Sequence, residues 1–463
     1  METGPLVDRG SDTFLEELTL LNFRQFKGLD LHFDRGLTVL SAKNGGGKTA
    51  VLDAIAVAVL PFADGMLGTT SHGFALTDAR RAPTPERAMV EQRPVSVLTR
   101  GHIAGAAIDW IRSLPEGAKK TVTNPPSALY GRATELLAML RRYADRRERS
   151  APDLPLIAYY GTGRLWAEGR ISQGKLTAAR NLTQPTEAYR GCLQSTSNYA
   201  SFALWYKAVA LEALSELTAG APPSPHRPQE VLAAVRAATD PLLAPTKWSR
   251  IDWDFLADEM VADHPEHGRL PVSLLSDGIR NMIAMVGDLA HRAVRLNRHH
   301  GEAAVRLTPG IVLVDEVDMH LHPAWQQTIL DSLRGAFPRV QWIVTTHSPQ
   351  VLSTAPRECV RVLRDDGIVT SPPLQTRGVE SAEVLAEVMD VDPIPGVSEA
   401  LDVAELQSLI ERGEGATDTA KALRERIVAH FGARHPVVAE CDRLQRWQAF
   451  KARRGEPDDR ERR

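Results

Sequence analysis

A glycine-rich loop near the start of the chain has the composition and the setting of a phosphate-binding loop. Residues 42–49 read Ala-Lys-Asn-Gly-Gly-Gly-Lys-Thr, between an apolar strand-like run at 36–40 and an apolar helix-like run at 50–60. In such a loop, backbone N–H groups and the positive end of the following helix attract phosphate oxygens. The alternative, an ordinary glycine turn, leaves Gly-Lys-Thr in this setting unexplained. The sequence therefore predicts a nucleotide-binding P-loop made by Lys43, Asn44, Gly45, Gly46, Gly47, Lys48 and Thr49.

Two residues of this loop have predicted individual roles. Lys48 is expected to reach the β- and γ-phosphates of ATP, and the Thr49 hydroxyl is expected to ligate Mg²⁺. Ala42 stands where the usual pattern has its first glycine. Alanine is small enough for that position if its φ is negative.

Two adjacent carboxylates follow a second buried-strand pattern. Residues 310–314 are apolar and are followed by Asp315 and Glu316. Ligands bind at the carboxyl ends of strands in parallel sheets, so these acids are placed for chemistry. We interpret Asp315 as a Mg²⁺ ligand, directly or through water, and Glu316 as the general base that polarises the attacking water. A buried structural ion pair is the alternative, and the P-loop upstream favours catalysis.

A histidine and a helix start complete the set of candidate residues. His347 follows the strand-like run 341–345 and is predicted to hydrogen-bond the γ-phosphate or to hold the water. Ser276 and Gly278 belong to a Leu-Ser-Asp-Gly run that precedes a long helix pattern, and a capped helix start can hold an anion. Taken alone, that run would be no more than a helix N-cap.

The order of these motifs resembles the ABC-type ATPase heads. A P-loop is followed by LSxG, then by Asp-Glu, then by a histidine. The resemblance implies an α/β P-loop NTPase with a mixed central sheet and flanking helices. It also implies a homodimer or higher oligomer, in which Ser276 and Gly278 of one subunit close on the γ-phosphate held by the P-loop of another.

The long spacing between the motifs narrows the resemblance. Thr49 and Ser276 are more than two hundred residues apart, as in the SMC, RecF and OLD-type heads, whereas transporter ATPases place LSxG closer to the P-loop. The intervening segment has many prolines and no sustained heptads, so a long coiled coil is excluded. We therefore expect a helical insertion and a helical C-terminal extension, with segments 1–60, 61–250, 251–375 and 376–463 as the N-terminal ATPase lobe, the insertion and helical subdomain, the C-terminal ATPase lobe and the extension.

Four longer segments resemble one bacterial family of AAA-type ATPases, the "predicted ATP-binding protein involved in virulence" group, which is related to the Septu defence ATPase. The segments are residues 21–26, 157–166, 275–282 and 315–326. The resemblance implies that Arg24 helps to hold nucleotide. It also implies a role in anti-phage defence beside a separate effector nuclease, often of the HNH type.

Composition limits the other classes of function. The chain has 463 residues, with 55 Lys and Arg against 58 Asp and Glu, so its net charge of −3 argues against a uniformly basic surface. Its apolar runs are too short to span a bilayer, which predicts no membrane association. Three scattered cysteines are typical of a reducing cytoplasm.

Direct nucleic-acid binding remains an alternative. A DNA-repair or recombination ATPase would need a basic groove, for which the sequence offers the helix end at 141–149 and the pair Arg80 and Arg81. Asp145 and Glu148 reduce the positive charge of the helix end at 141–149, which favours an ordinary solvated helix end. A self-contained OLD-type nuclease is excluded because the residues after Gln375 are too few for a TOPRIM domain beside the helices that they encode.

Overall fold

The computed structural model describes residues 12–455, with gaps at 71–72, 84, 86–87, 119–120, 125–127, 147–149, 164–183, 195–198 and 220–226. Residues 164–166 of the family-like segment and 147–149 of the basic helix end lie outside the described residues. The chain divides into two compact units, Met1–Met389 and Asp390–Arg463. This division lies beyond the boundary at 375 that the sequence predicts, because the helix Ser381–Glu387 belongs to the first unit.

The described part of the chain contains both strands and helices. The strands are β1 Phe14–Phe23, β2 Phe26–His32, β3 Leu37–Ser41, β4 Arg81–Pro83, β5 Met89–Glu91, β6 Val95–Ile103, β7 Ala106–Leu114, β8 Val122–Asn124, β9 Leu156–Tyr160, β10 Ser249–Asp254, β11 Glu259–His264, β12 Gly268–Pro271, β13 Gly310–Val314, β14 Val340–Thr345, β15 Val360–Leu363 and β16 Val369–Thr370. The helices are α1 Lys48–Leu67, α2 Ala128–Ala144, α3 Tyr199–Ala219, α4 Pro228–Leu243, α5 Asp277–Leu296, α6 Ala304–Leu307, α7 Pro323–Gln326, α8 Ile329–Ala336, α9 Pro349–Leu352, α10 Ser381–Glu387, α11 Ser398–Glu411, α12 Asp418–Phe431 and α13 Pro436–Gly455.

The central sheet has six strands in the order β16-β15-β3-β14-β13-β9. All neighbours from β15 to β9 are parallel, and β16 is antiparallel at the edge. Every residue of β3, β9, β13 and β14 is buried, which agrees with their mostly apolar sequences. The mixed α/β sheet with flanking helices is thereby confirmed.

A second, antiparallel sheet packs beside the central one, in the strand order β2-β1-β6-β7-β8. Its strands alternate buried and exposed residues, as expected for a sheet with one face in the core. Buried Gln341 of β14 connects the two sheets, because its amide accepts from the Leu15 N–H at 2.7 Å and donates to the Leu15 and Asp34 carbonyls at 2.8 Å each.

The segment 61–250 differs from the predicted insertion with a helical subdomain. Strands β6, β7 and β8 from this segment belong to the antiparallel sheet, and β9 forms an edge of the central sheet. The alternating pattern of Val95–Ile103 could pair with β1 only once the chain had folded back over a long distance. Sequence-local reasoning identifies such strands and leaves their partners open.

Helix α1, which begins at the P-loop, is the one helix among the described residues with the length and apolar composition of a membrane span. Two-thirds of its apolar window is buried inside the protein. Val51, Leu52, Ile55 and Val59 are fully buried, so its apolar character is accounted for by the core of the first unit.

The second unit is helical, as the sequence predicts. Its small core joins α11, α12 and α13 through Leu406, Ile410, Leu423, Ile427 and Val438. Thr417 caps α12 by accepting a hydrogen bond from the Ala420 N–H. Each helix alone exposes an apolar stripe, and the three together bury it.

We expect Gln341→Met to lower the free energy of unfolding by about 2–4 kcal/mol, because the buried Leu15 N–H and two carbonyls lose their partner. Urea denaturation measures the change. The matched control is Gln327→Met, whose exposed amide bonds only the Gln350 side chain and should change stability little. Equal effects of the two substitutions would contradict the role of Gln341.

Candidate active site

The P-loop connects β3 to α1 and depends on its glycines. Gly45 and Gly47 have φ values of 78° and 90°, in the left-handed region that favours glycine. A Cβ on Gly47 would lie 1.9 Å from the Gln25 side chain and 2.3 Å from the Phe26 ring. The β1–β2 turn is therefore packed directly on the loop, and only glycine fits there.

Lys48 lies inside the loop, and its side chain is directed at the acids that follow β13. It is only 7% exposed, and its Nζ donates to the Ala42 carbonyl at 3.1 Å. Burial lowers the pKa of Lys48, while the charges of Asp315, Glu316 and Asp318 oppose that shift. The P-loop cation and the predicted carboxylates thus belong to one electrostatic site.

The two predicted Mg²⁺ ligands are in contact. Asp315 is 1% exposed, and its Oδ2 accepts from the Thr49 hydroxyl at 2.7 Å. Its Oδ1 accepts from the Thr345 hydroxyl at 2.6 Å, and its N–H donates to the Tyr160 carbonyl at 2.8 Å. A hydroxyl and a carboxylate in contact are oxygen ligands of the kind that Mg²⁺ prefers, so the residues present fit this ion.

Glu316 leaves the line of strand β13. Its φ of 48° is left-handed, a conformation that is uncommon for a residue with a side chain. Its N–H donates to the Thr345 hydroxyl at 2.7 Å, so the same threonine holds both acids. The backbone turn therefore separates the two carboxylates, with Asp315 buried and Glu316 partly exposed.

His347 follows β14 and is partly buried beside Lys48. Burial and the Lys48 charge lower the pKa of His347, while Glu316, Asp318 and Asp315 oppose the shift. These influences favour the neutral imidazole, which can donate one hydrogen bond and accept one. Its neighbours are anchored, since Thr346 donates to Asp318 and the Ser348 hydroxyl donates to Gln326 at 2.7 Å.

Arg24 lies in the β1–β2 turn that packs on the P-loop. Its guanidinium pairs with Asp53 of α1 and, at 3.0 Å, with Asp78. Asp53 also accepts from the Tyr159 hydroxyl at 2.9 Å. These contacts hold Arg24 beside the helix that begins at the P-loop, with about a third of its side chain exposed.

Ser276 and Gly278 lie at the start of α5. Ser276 is exposed at the N-cap, and its side chain makes no capping hydrogen bond. A Cβ on Gly278 would lie 2.4 Å from the His320 carbonyl and 3.7 Å from the Leu321 side chain, so the helix start packs closely on these two residues. His320 itself has a left-handed φ of 63°.

Several contacting residues are not predicted from the sequence. Thr345 bridges both acids, and Asp53 joins Arg24 to Tyr159. The role of Thr345 could be suspected from its place at the carboxyl end of a buried strand. The contacts of Asp53 with Arg24 and Tyr159 connect positions far apart in sequence, and no local sequence pattern predicts them.

A buried ionic group links the edge strand β9 to helix α5. Asp288 Oδ2 accepts from the Tyr160 hydroxyl at 2.6 Å and from Arg292 Nε at 2.8 Å. Burial alone would raise the pKa of Asp288, but the Arg292 charge and hydrogen bonds from its neighbours hold it well below its usual range. Tyr159 and Tyr160 point to opposite faces of β9, so one strand contacts both α1 and α5.

Two family models match the chain. An "AAA domain" model matches residues 17–216, and a model described as "AAA domain, putative AbiEii toxin, Type IV TA system" matches residues 226–353. The first range contains Arg24 and the P-loop, and the second contains Ser276, Gly278, Asp315, Glu316 and His347.

The curated relatives belong to the same class. The retron Vc95 probable ATPase of Vibrio cholerae is 23% identical over 468 residues, which cover 90% of this chain and 87% of the relative. The Septu protein PtuA of Bacillus mycoides is 24% identical over 351 residues, covering 73% of this chain. The chain is an ATPase related to PtuA.

Some of these matches are partial. The aligned region spans 39% of the Bacillus mycoides PtuA. The retron Ec83 probable ATPase of Escherichia coli is 34% identical over 172 residues, which are 37% of this ATPase and 31% of the relative.

Solved structures with similarity to this ATPase include an SMC head bound to the C-terminal winged-helix domain of ScpA. The identity is 16% and the TM-score is 0.44, and the match covers 78% of this chain and 98% of the SMC head. The recombination mediator protein RecF covers 78% of this chain and 100% of its own, at 15% identity and a TM-score of 0.41. The fold described above is established by the strand order and registers of this ATPase itself.

We expect Thr345→Val to reduce ATP turnover by about 10–100-fold, because the Asp315 carboxylate and the Glu316 backbone N–H each lose their hydrogen bond to the Thr345 hydroxyl. The Mg²⁺ concentration that gives half-maximal activity should rise, while ATP binding changes much less. Steady-state ATPase assays across a Mg²⁺ series measure both effects.

Thr354→Val is the control for this substitution, because the Thr354 hydroxyl bonds only the Val351 carbonyl of its own turn. Wild-type turnover and Mg²⁺ dependence in Thr345→Val would contradict the bridging role.

Proposed function

We propose that this protein hydrolyses ATP, with Mg²⁺, between two copies of the chain. The observation that carries the proposal is the division of the predicted residues into two groups. Lys48, Thr49, Asp315, Glu316 and His347 belong to one electrostatic site. Ser276, by contrast, is exposed at a helix start that packs on His320 and Leu321, and it is available to a second subunit.

The chain's own residues have separate tasks in this proposal. The P-loop amides and Lys48 bind the phosphates, and Arg24 supports the loop from the β1–β2 turn. Glu316 accepts a proton from the attacking water, and neutral His347 orients that water or the γ-phosphate. Bound Mg²⁺, held by Thr49 and Asp315, would neutralise charge on the phosphate oxygens.

Coupling to a separate effector is the further part of the proposal. The relatives are retron and Septu ATPases, and the family resemblance implies a partner nuclease of the HNH type in anti-phage defence, in the cytoplasm. The buried Tyr160–Asp288–Arg292 group supports coupling, because it connects the strand beside Asp315 to the helix that begins at Ser276. A change at the nucleotide can thereby move the surface that a partner would contact.

The test of the dimer uses Glu316→Gln, which should bind ATP but hydrolyse it slowly. We expect ATP to produce a species of about twice 50.8 kDa in light scattering. Lys48→Ala is the control, since it should bind ATP poorly and stay unchanged in mass on ATP addition.

Adding Ser276→Arg to Glu316→Gln should abolish the mass increase while ATP binding in calorimetry persists. Ser276 is preferred to Gly278 because any side chain at Gly278 would collide with the His320 backbone within the same subunit. An ATP-driven dimer that survives Ser276→Arg would contradict the proposed arrangement.

Direct nucleic-acid binding, the second candidate, is favoured by one observation. A cavity of about 860 Å³ is lined by Arg141, Arg227, Arg295 and Arg298, with Glu230 as the acid that pairs with Arg227. Burial lowers the pKa values of Arg295 and Arg298, and Arg298 contributes to the shift of Arg295, so these cations are close together. Such a concentration of guanidinium groups suits phosphates.

If this cavity binds nucleic acid, the double substitution Arg141→Glu and Arg227→Glu should weaken binding of duplex DNA in fluorescence anisotropy. The slope of log affinity against log salt should fall by about one for each lost phosphate contact. Arg443→Glu on α13, which changes the charge elsewhere, is the control. Equal losses in both variants would contradict a specific cavity site.

A further inference from the structure

A cluster of two imidazoles and one carboxylate lies away from the nucleotide site. His299 Nε2 is 3.0 Å and His300 Nε2 is 2.6 Å from the same oxygen, Oδ1 of Asp153. The three possible ligand atoms all lie within 4.8 Å of one another. Asp153 is 146 residues away from His299 in sequence, so only folding brings the three together.

The cluster is held by a rigid frame. Asn297 is fully buried, and its side chain accepts from the Leu154 N–H at 2.8 Å and donates to the Leu154 carbonyl at 2.9 Å. This pair of bonds joins the turn after α5 to the segment before β9. Asp153 directly precedes Leu154, and the His300 N–H donates to the Asn297 carbonyl at 3.0 Å, so the backbone beside the cluster is held before any ligand binds.

The second oxygen of Asp153 is also engaged. Arg339 Nη1 donates to Asp153 Oδ2 at 3.3 Å and to the Leu307 carbonyl at 2.8 Å, and Arg339 Nη2 donates to Asp12 at 3.1 Å. Arg339 is thus shared between two acids, and it turns Oδ1 toward the histidines. A hydrogen-bonded carboxylate whose other oxygen faces two imidazoles is the arrangement of a ligand with outer support.

The donor set selects a class of ion. Two imidazole nitrogens and one carboxylate oxygen suit Zn²⁺ and related transition metals, and poorly suit Mg²⁺ or Ca²⁺. Bond lengths of about 2.0–2.2 Å in a tetrahedral site require ligand atoms about 3.3–3.5 Å apart. The present separations of 2.6 and 3.0 Å reach that range through side-chain shifts of less than about 1 Å.

We propose that Asp153, His299 and His300 form a binding site for a zinc-class divalent ion, distinct from the Mg²⁺ site at Thr49 and Asp315. Three protein ligands leave one coordination position for water or an anion, and His299 also lines the cavity of about 860 Å³. The bound ion connects the chain just after α5 to the chain just before β9. These are the two elements that the Tyr160–Asp288–Arg292 group joins at their other parts.

The experiment titrates the full chain with Co²⁺ and Zn²⁺ after chelator treatment, without nucleotide and in excess Mg²⁺ to occupy the P-loop site. We expect one equivalent of Co²⁺ to give the visible spectrum of a tetrahedral site, and Zn²⁺ to displace it. Zn²⁺ should also raise the melting temperature. Metal affinity should fall as the pH is lowered, because imidazole ligates only when neutral.

Asp153→Asn and His300→Ala should each weaken binding by at least about 10–100-fold and remove the Zn²⁺-dependent rise in melting temperature. His299→Ala, at the more accessible position, gives the same result without disturbing the frame. Circular dichroism and melting without metal separate loss of a ligand from loss of folding.

The matched control is His267→Ala. His264 and His267 also form a stacked pair, with ring centroids 4.4 Å apart, but lie outside the Asp153 cluster. This variant should bind Co²⁺ like the wild type. A wild-type protein without a tetrahedral Co²⁺ spectrum, or a spectrum that persists in both Asp153→Asn and His299→Ala, would overturn the site and leave the cluster as a charge network.

Discussion

The buried carboxylate of Asp315 is the constraint on which the site depends. A charged group that is 1% exposed is tolerated only when its oxygens have partners. The partners here are hydroxyls from the first helical turn of the P-loop and from the end of β14. Strands β3, β14 and β13 must therefore be adjacent, parallel and in register, and that is the order observed.

The edge strand β9 extends this constraint to helices α1 and α5. Its backbone accepts the Asp315 N–H, while its two tyrosines contact acids on α1 and α5. Because the Asp288 group is completely buried and fully paired, it resists rearrangement of α5 relative to the sheet. Motion of the Ser276 helix start is then expected to involve β9 and the nucleotide edge together.

Close backbone approach is the second condition of the site. The β1–β2 turn fills the space beside Gly47, and the His320 carbonyl fills the space beside Gly278. The first contact joins the P-loop to a turn that precedes it by a strand, and the second joins two segments that are many residues apart in sequence. A side chain at Gly47 would separate the P-loop from its supporting turn, and a side chain at Gly278 would separate α5 from the loop that follows Asp315 and Glu316.

The sequence alone predicted the residues placed for chemistry and the type of the elements around them. Continuous apolar runs predicted β3, β13 and β14, and the polar residues after them, Thr49, Asp315 and Glu316, could be recognised because strand ends in such sheets are where ligands bind. Only the tertiary structure shows which strands are neighbours and that segment 61–250 contributes strands to both sheets. It also shows that Thr345 bonds both Asp315 and Glu316, and that Arg24 pairs with Asp53 and Asp78. The physical reason is the separation in sequence. Periodicity and capping act over a few residues, whereas these pairings join residues tens to hundreds of positions apart. The pairings are selected by the burial of polar groups, which no local sequence pattern records.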